Sequence, residues 1–590
     1  MCGIFGALEG DCVGKTLQAL HFLEYRGYDS AGIAVKTDKL TVIKSKGRIS
    51  ALESKLPQKL EGNSAIGHTR WATHGAVCDE NAHPFLSADG SFAICHNGII
   101  ENHLQLKEDL LQSGVKCVSQ TDSETVAHLL QVNYRGNVLQ TVAQTALQLQ
   151  GAFAILVSSV YDDNLYALKN KSPLVVGLSE NGTYLCSDVR CISQWANKVA
   201  VVPDNTVVVA SKNNVSFFDF HGKPKNVDFF TPDKAQAEQK TDGDVMLKEI
   251  FEIPERVRDA KQGYFQSGGL GLGKRLAVKF RRIYFIGCGT AYNSGAEVCA
   301  LARKFLTVDI IPVIASEFVY DNYPVDDKTL AFCISQSGET ADTIRAAEKV
   351  SSLGGFTYAV TNTTSSTLCF VCDKVKNVFA GGEFAVASTK AYNCQLVTLL
   401  LLALDIAHAR GEISDECLRS VHNSMDKLPL ALNEILRQND AIAKLANQIK
   451  HSSAVFFVGR ASDYPTATEG SLKLKEISYV HSEAYPSGEL KHGTLALMES
   501  GVTVVVISTC DKLVEKNNST ANEIASRNAT VVTLSPYRGD GMQITLPVVH
   551  EMLYGIVAVV PLQLLAYHVA KSLGRDVDKP RNLAKSVTVE

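Results

Sequence analysis

An internal repeat in the C-terminal half constrains the fold of this 590-residue chain more than any other feature. Arg282–Gly287 and Ala454–Gly459 are each an apolar strand that ends in glycine, followed by a short polar loop and a predicted helix (Ser294–Phe305 and Thr466–Ser478). A second apolar strand then ends near serine in each copy, at Leu330–Ser335 and Val502–Ser508. Strand–loop–helix units repeated at matched spacing predict two α/β domains with parallel sheets.

The strand–helix loops of the first copy are suited to an anionic ligand. Ser335-Gln336-Ser337-Gly338-Glu339-Thr340 precedes the predicted helix Ala341–Val350, and Cys288-Gly289-Thr290 follows the first strand. Hydroxyl groups and the free amides of a helix start favour phosphate, and ligands of parallel sheets lie at the carboxyl ends of the strands. The alternative is a plain Ser/Thr N-cap without a ligand. The loops match neither the Walker pattern nor G-x-G-x-x-G, so a nucleotide is not indicated.

The N-terminal third has a different pattern. Short β-type runs such as Ala31–Val35, Phe92–Cys95 and Ala152–Val157 alternate with helical stretches such as Ser123–Tyr134, which predicts an α+β layered domain. A polar, proline-containing segment then indicates a linker. The predicted division is a first domain at 1–218, a linker at 219–245, two α/β domains at 246–425 and 435–575, and a C-terminal tail at 576–590.

Cys2 is the strongest chemical signal in the N-terminal domain. It follows Met1 directly in Met1-Cys2-Gly3-Ile4-Phe5-Gly6, and a small second residue permits removal of Met1. The mature chain would then begin with a thiol and an α-amine whose pKa, roughly 7.7–8.0, suits a general base at neutral pH. The alternative is a chance cysteine at a disordered terminus.

Composition narrows the possible functions. A net charge of −4 implies no strongly basic face, so nucleic acid is an unexpected partner. The fifteen cysteines are scattered and no secretory signal precedes them, which predicts reduced thiols and a cytoplasmic location. The lone pair Cys369 and Cys372 is assigned to core packing.

The uncharged stretch Met552–Ala570 is long enough for a membrane span. It is interrupted by Gly555, Pro561, Gln563 and His568, so we expect a buried core segment.

Several motifs carry a family resemblance. The N-terminal block resembles glutamine amidotransferases with an N-terminal nucleophile, and the repeats resemble sugar-isomerase (SIS) domains. The whole chain, including its tail, is similar to the family of glutamine-dependent fructose 6-phosphate aminotransferases. The motifs are Cys2-Gly3-Ile4, Glu24–Ser30, His68–Gly75, Asn81–Pro84, His96–Gly98, Thr121–Glu124 and Asp578–Glu590. The resemblance implies an αββα N-terminal-nucleophile (Ntn) glutaminase domain followed by two SIS domains.

For the glutaminase half, the resemblance implies that Cys2 attacks the side-chain amide of L-glutamine. Asn97 and Gly98 would donate to the oxyanion. Arg70 would pair with the α-carboxylate and Asp122 with the α-ammonium group of glutamine, although outside this context a surface ion pair is the default for both. Trp71 would gate an ammonia channel, and the remaining pocket residues would be Thr73, His74 and Gly75.

For the sugar half, the resemblance implies a Schiff base between Lys585 and the carbonyl group of D-fructose 6-phosphate. This requires a neutral amine, for which Arg581 could supply neighbouring positive charge. Glu476 would move a proton between C1 and C2 with help from Lys473, and His492 from the neighbouring subunit of a homodimer would open the sugar ring. The phosphosugar contacts would be Cys288, Gly289, Thr290, Ser335, Gln336, Ser337, Thr340, Val386, Ala387, Ser388 and Ala584.

The implied reaction yields L-glutamate and D-glucosamine 6-phosphate, the entry to UDP-N-acetylglucosamine synthesis, and needs no metal or organic cofactor. Two alternatives remain: a related deglycase or amidotransferase for another phosphosugar, and a non-enzymatic phosphosugar sensor. The presence of Cys2, Glu476 and Lys585 argues against the sensor, because a protein that only binds a phosphosugar would not need all three. Two positions depart from the family pattern, Ala291 in place of serine and Thr494 in place of proline.

Overall fold

The computed structural model describes residues 2–71, 74–232, 243–537 and 541–587. The chain forms two compact units, the first comprising residues 1–236 with 586–590 and the second residues 237–585. Each unit is built around its own sheets and buried apolar clusters.

The first unit contains two seven-stranded antiparallel sheets. The first sheet has the order β11-β9-β10-β1-β4-β2-β3, and the second has the order β14-β13-β12-β8-β7-β6-β5. The strands are β1 (Gly3–Leu8), β2 (Ser30–Lys36), β3 (Leu40–Lys46), β4 (Ser64–Arg70), β5 (Phe85–Leu86), β6 (Phe92–Ile100), β7 (Gly151–Ser159), β8 (Leu165–Asn170), β9 (Val175–Leu178), β10 (Thr183–Cys186), β11 (Lys198–Val201), β12 (Thr206–Ala210), β13 (Val215–Asp219) and β14 (Pro224–Lys225). The helices are α1 (Cys12–Leu23), α2 (Ile49–Glu53), α3 (His103–Gln112), α4 (Glu124–Asn133), α5 (Val138–Gln148) and α6 (Val189–Ile192), with a 3₁₀ turn at Glu24–Arg26.

Alternation along the strands produces four layers. In β1, Ile4 faces the cluster between the two sheets, whereas Phe5 faces the cluster beneath α1 and α6. In β6, Cys95 faces the inter-sheet cluster and Ile94 packs against α4 and α5. Because successive strand residues point to opposite faces, both faces of each sheet are covered, and the αββα arrangement is confirmed.

The second unit contains two five-stranded parallel sheets with identical topology, β16-β15-β17-β18-β19 and β21-β20-β22-β23-β24. The predicted internal repeat is therefore confirmed. The strands are β15 (Arg282–Gly287), β16 (Asp309–Ile314), β17 (Thr329–Ser335), β18 (Phe356–Thr361), β19 (Lys374–Asn377), β20 (Ala454–Gly459), β21 (Ser482–Pro486), β22 (Val502–Ile507), β23 (Thr530–Ser535) and β24 (Met542–Thr545).

Helices surround both sheets of the second unit. They are α7 (Val245–Phe251), α8 (Ile253–Gln266), α9 (Lys274–Lys279), α10 (Thr290–Ala302), α11 (Ala315–Tyr320), α12 (Ala341–Ser352), α13 (Thr367–Val371), α14 (Lys390–Arg410), α15 (Asp415–Met425), α16 (Leu428–Leu436), α17 (Asn439–Ile449), α18 (Asp463–Ser478), α19 (Val514–Ala525) and α20 (Tyr554–Ser572). Short 3₁₀ turns lie at Glu489–His492, Thr494–Leu497, Asp511–Leu513 and Glu551–Leu553.

Two predicted helix starts are corrected. Helices α10 and α18 begin three or four residues earlier than predicted, at Thr290 and Asp463. The glycine that ends each preceding strand permits this, since a Cβ on Gly287 would lie 2.9 Å from the Tyr292 amide nitrogen and one on Gly459 would lie 2.5 Å from the Asp463 backbone. Each helix therefore begins directly at the carboxyl end of its strand.

The structure also assigns two kinds of segment whose role the composition left open, the predicted linker and the long apolar stretches. Part of the predicted linker belongs to the first unit, because β14 pairs with β13 and Phe230 pairs with Val199. Helix α14 and the segment Glu551–Ser572 are each long and apolar enough to cross a membrane, but 89% of the most apolar window of each is buried inside the protein, as for core helices. The expected core role of the stretch 552–570 is confirmed by this burial.

Candidate functional site

Cys2 lies at the start of the central strand of the first sheet. Its Sγ is 3.3 Å from the amide nitrogen of Trp71, because β1 pairs with β4 and Trp71 directly follows β4. The side-chain amide of Asn97, on β6 of the other sheet, donates to the Cys2 carbonyl oxygen at 3.0 Å. Burial raises the pKa of the Cys2 thiol, against the opposing effect of Arg70. The thiol therefore needs a base to become a nucleophile.

Gly98 follows Asn97 in a backbone conformation that favours glycine, with φ of 130°. A Cβ at this position would lie 2.0 Å from the carbonyl oxygen of Ala152 on β7. Only glycine fits this position without displacing the neighbouring strand. The predicted oxyanion donors Asn97 and Gly98 are thus consecutive in one strand close to Cys2.

Arg70 and Asp122 are both buried, unlike members of a surface ion pair. The Arg70 guanidinium donates to the backbone carbonyls of His74 and Ala76, the latter at 3.3 Å. The Asp122 carboxylate accepts the Ile100 amide at 2.8 Å. Although burial opposes ionisation, His96 and the Ile100 amide lower the pKa of Asp122, so this carboxylate is available for an ammonium group.

The remaining predicted glutamine residues cluster around β4. The Trp71 ring packs edge-on against Tyr28, and the His74 ring packs edge-on against His103. Gly75 has φ of 78°, and its carbonyl oxygen lies 3.5 Å from an Arg70 nitrogen. Thr73 lies outside the described residues.

In the second unit, Lys473 lies at the centre of a buried polar group. Its ammonium lies 2.6 Å from Glu476, 3.1 Å from the Thr290 hydroxyl and 3.5 Å from Glu469. Glu469 also accepts hydrogen bonds from Thr290 and Asn293, at 3.0 and 2.8 Å. This group joins α18 of the second domain to the start of α10 in the first.

Sequence reasoning missed Glu469, although its position four residues before Lys473 places both on one helical face. Burial raises the pKa of Glu469 to about 7, against the lowering effect of Lys473. For Lys473, burial is outweighed by Glu476 and Glu469, which raise the pKa of its ammonium group.

The predicted phosphate loop follows β17 as expected. The Ser335 hydroxyl lies 2.9 Å from that of Thr340 and accepts the Gly338 amide at 3.0 Å, while Ser337 accepts the Glu339 amide at 3.2 Å. Gly338 has φ of 68°, which turns the chain back over the strand end. Gln336 follows β17 and its carbonyl accepts the Asn362 amide. Cys288 and Gly289 lie between β15 and α10.

Lys585 has a partner that the sequence did not suggest. Its ammonium lies 2.6 Å from Glu383, which also accepts the Ser388 hydroxyl and the amides of Thr389 and Ala391. Although burial opposes ionisation, Lys585 and these amides lower the pKa of Glu383. The guanidinium of Arg581 stacks 4.3 Å from the Tyr479 ring centroid. That Arg581 supplies positive charge beside Lys585 stays a prediction.

The wall around Lys585 is held by the tail itself. The Val386 amide donates to the Asp578 carbonyl at 2.9 Å, and the Asp578 carboxylate accepts the amides of Val245 and Met246 at 3.0 and 2.8 Å. Ala387 is buried and Ala584 is half-buried. The tail, the 386–388 wall and α7 are therefore hydrogen-bonded together.

His492 is exposed at the end of a 3₁₀ turn. Within the described ranges, no hydrogen bond or ion pair links it to another predicted sugar-site residue. Gly493, with φ of 151°, separates it from Thr494, which begins the next 3₁₀ turn.

One cluster has metal-ligand residue types. Ligand atoms of Cys117, Glu124 and His128 lie within 4.8 Å of one another. However, Glu124 accepts the amides of Val118 and Ser119, and His128 contacts both Glu124 and the Ala88 amide. These hydrogen bonds engage the carboxylate and both imidazole nitrogens, so the cluster is a structural network.

Comparison with known proteins identifies both halves. A glutamine amidotransferase domain model matches residues 68–194, and a SIS domain model matches residues 278–405 and 448–572. Glutamine–fructose-6-phosphate aminotransferases (isomerizing) of Clostridium acetobutylicum and Thermus thermophilus are 39% and 41% identical, over the full length of both chains. A solved C-terminal domain of glucosamine-fructose-6-phosphate aminotransferase from Francisella tularensis is 33% identical, with a TM-score of 0.55, covering 58% of this chain and all of that one.

Proposed function

The chain belongs to the glutamine–fructose-6-phosphate aminotransferase (isomerizing) family, and we propose that Cys2 begins its reaction and that Lys473, Glu476 and Lys585 complete it. The reaction converts L-glutamine and D-fructose 6-phosphate to L-glutamate and D-glucosamine 6-phosphate. The full-length identity of 39–41% to enzymes of this name carries the assignment of the reaction. The residue roles are supported by the geometry of each unit.

Glutamine hydrolysis starts at Cys2. Once Met1 is removed, the α-amine of Cys2 accepts the thiol proton, and the thiolate attacks the amide carbon of glutamine. The oxyanion is stabilised by the Gly98 amide and the Asn97 side chain, neutral donors fixed by β6. Ammonia leaves, and water hydrolyses the thioester to L-glutamate. Arg70 and Asp122 hold the α-carboxylate and α-ammonium groups, with Trp71, Thr73, His74 and Gly75 around the substrate.

The sugar phosphate binds at the loop that joins β17 to α12. Ser335, Ser337 and Thr340 present hydroxyl groups there, and the helix start favours an anion. Cys288, Gly289, Thr290 and Gln336 complete this side of the site, and Val386–Ser388 with Ala584 form the wall towards Lys585.

Lys585 forms the imine with C2 of the open-chain sugar and releases water. Its ammonium group must first lose a proton, and Glu383 is the carboxylate in contact with it. Ammonia from the glutaminase site then replaces the Lys585 nitrogen on C2. Glu476 moves a proton from C1 to C2, and the adjacent Lys473 stabilises negative charge that develops during this transfer.

Ring opening is assigned to His492 of the partner subunit in a homodimer, because His492 is exposed and, in the described part of the chain, makes no hydrogen bond with its own sugar site. Subunit mixing tests this role. His492→Ala and Glu476→Gln homodimers should each be inactive, whereas their heterodimers should regain activity only if the histidine acts across the interface. Failure of the mixture to regain activity would place His492 in its own subunit's site.

Product analysis tests the whole proposal. Purified protein with glutamine and fructose 6-phosphate should form glutamate and glucosamine 6-phosphate one to one, and Cys2→Ala should form neither. Lys585→Ala should retain glutamine hydrolysis and lose the amino sugar. Glutamate without amino sugar from the unaltered protein would show that the sugar substrate is wrong.

The role of Trp71 in ammonia transfer has its own test. Trp71→Ala should still hydrolyse glutamine while forming less glucosamine 6-phosphate per glutamate. An equal fall in both products would assign Trp71 to the glutamine pocket alone.

A further inference from the structure

The two SIS domains differ at one matched position. Counted from the glycines Gly287 and Gly459 that end the first strand of each copy, the matched helix residues are Ala291 and Asp463. Both lie in the first turn of their helix, at the carboxyl end of the sheet. In the first domain the side chain is a methyl group, and in the second it carries a carboxylate.

The Asp463 carboxylate occupies the loop that corresponds to the proposed phosphate loop. Ser335 ends β17 and Gln336-Ser337 follow it, and Ser508-Thr509-Cys510 follows the matching strand β22. One oxygen of Asp463 accepts the Thr509 amide at 3.0 Å, and the other accepts the Thr509 hydroxyl. A backbone amide and a hydroxyl are the donors that such a loop would offer to a phosphate.

Two positions of the second domain, Asp463 and Thr509, are also more deeply buried than the matching Ala291 and Gln336 of the first. Asp463 is 2% exposed, and Ser508 and Thr509 are 2% and 5% exposed. The Ser508 hydroxyl accepts from Asn517 at 3.0 Å, so the serine that matches Ser335 is held by the protein itself. In the first domain Ala291 and Gln336 are only partly buried. Ser335 is as buried as Ser508, but its hydroxyl lies beside that of Thr340 at the strand end and has no asparagine partner such as Asn517 among the described residues.

We propose that Asp463 takes the place of a substrate phosphate in the second SIS domain and thereby closes the loop after β22 to a phosphosugar. Burial raises the pKa of Asp463 to about 6, so the group is largely an anion above neutral pH, as a phosphate would be. The same contact ties the start of α18 to the loop after β22, and α18 carries Lys473 and Glu476. The inference rests on the proposed sugar site at Ser335–Thr340.

The number of fructose 6-phosphate molecules bound per chain tests the proposed role of Asp463. Titration calorimetry with fructose 6-phosphate in the absence of glutamine should give one equivalent per wild-type chain. Asp463→Ala, which reproduces Ala291, should bind a second equivalent, with an affinity at least about tenfold weaker than the first. Asp511→Ala, which removes an exposed acid from the same loop, should still bind one equivalent. A second equivalent in the wild type, or none gained in a folded Asp463→Ala variant, would overturn the proposal.

A second variant covers the case in which Asp463→Ala does not fold. Ser335→Ala with Thr340→Ala disables the first site and should abolish measurable fructose 6-phosphate binding, whereas retention of one equivalent at a distinct affinity would place a working site in the second domain and overturn the inference. Glucosamine 6-phosphate output separates the two failures. If this double variant keeps wild-type output and affinity, the proposed sugar site is wrong.

Discussion

The ammonium group of Lys585 lies 2.6 Å from a carboxylate oxygen of Glu383, with the two side chains only 3% and 0% exposed. The proposed imine needs the neutral amine, so the resting ion pair must give up a proton before the sugar reacts. In the proposed mechanism Glu383 positions the tail lysine and is the carboxylate within reach of its proton.

Glu383→Gln should disable the sugar half of the reaction. Loss of one partner leaves the other charge buried, which costs about 3–5 kcal/mol in the free energy of unfolding. Glucosamine 6-phosphate formation should fall at least about tenfold, while glutamine hydrolysis without sugar stays near wild type because Cys2 belongs to the other unit. Borohydride trapping of the Lys585 imine, read by mass spectrometry, should fall in parallel.

The control for this variant is Glu252→Gln, which removes the partner of Lys390 at a more exposed position. It should cost less stability and leave the imine yield unchanged. If Glu383→Gln traps as much imine as the wild type, the ion pair has no role in positioning Lys585.

Glu469→Gln should change the pH dependence of proton transfer. The pKa of Glu469 is about 7 through burial, so its carboxylate forms as the pH rises through neutrality. Below pH 7, Glu469 is largely protonated, so Lys473 pairs with Glu476 alone. Above pH 7, Glu469 shares the lysine and Glu476 is released for catalysis.

Exchange of the C1 hydrogen of fructose 6-phosphate with deuterated solvent isolates this step from glutamine chemistry. The exchange rate of the wild type should increase as the pH rises through 7, and this increase should be absent in Glu469→Gln. The exposed substitution Glu255→Gln should keep the wild-type profile. If the exchange rate of Glu469→Gln still increases through pH 7, the increase belongs to the titration of another group.

Gly98→Ala should damage both folding and glutamine hydrolysis. The added Cβ would overlap the Ala152 carbonyl and the residue would keep an unfavourable positive φ, together costing about 3 kcal/mol in the free energy of unfolding. Gly90→Ala, where φ is 75° but no atom lies within 4 Å, should cost only about 1 kcal/mol. Denaturant unfolding checks both values, and equal losses would contradict the clash.

Glu124→Gln should remove an acid-sensitive part of the stability. Burial opposes ionisation, but His128 and the amides of Val118 and Ser119 outweigh it and lower the pKa of Glu124 to about 2. A carboxylate with a lowered pKa stabilises the fold above its unfolded pKa of about 4.3, and this stability is lost as the pH falls towards 2.

The expected loss in Glu124→Gln is about 2 kcal/mol at pH 7 and about half of that near pH 3. Urea unfolding at both pH values measures it, with the exposed substitution Glu108→Gln as control. A loss that does not shrink with falling pH would mean that packing, and not charge, accounts for the effect.

The sequence alone predicted the architecture because its signals are local. Apolar runs predicted β15 and β20 with the observed bounds, and the repeat predicted two α/β domains with parallel sheets. The structure adds that both sheets have the same strand order. The nucleophile Cys2 and the hydroxyl loop at Ser335 were also recognisable from adjacent residues. The signals for Cys2 and for the Ser335 loop come from residues that are adjacent in the sequence, so both could be recognised without knowledge of long-range contacts.

Only the tertiary structure decided which charged groups meet. Glu383 and Lys585 are 202 residues apart, and Thr290 and Glu469 are 179 apart. No local pattern specifies such pairs, because burial of a charge depends on helices and loops brought together by the whole core. The sequence determined the two folds and the candidate nucleophiles, whereas packing determined the partner of Lys585, the ionisation of Glu469 and the occupation of the second loop by Asp463.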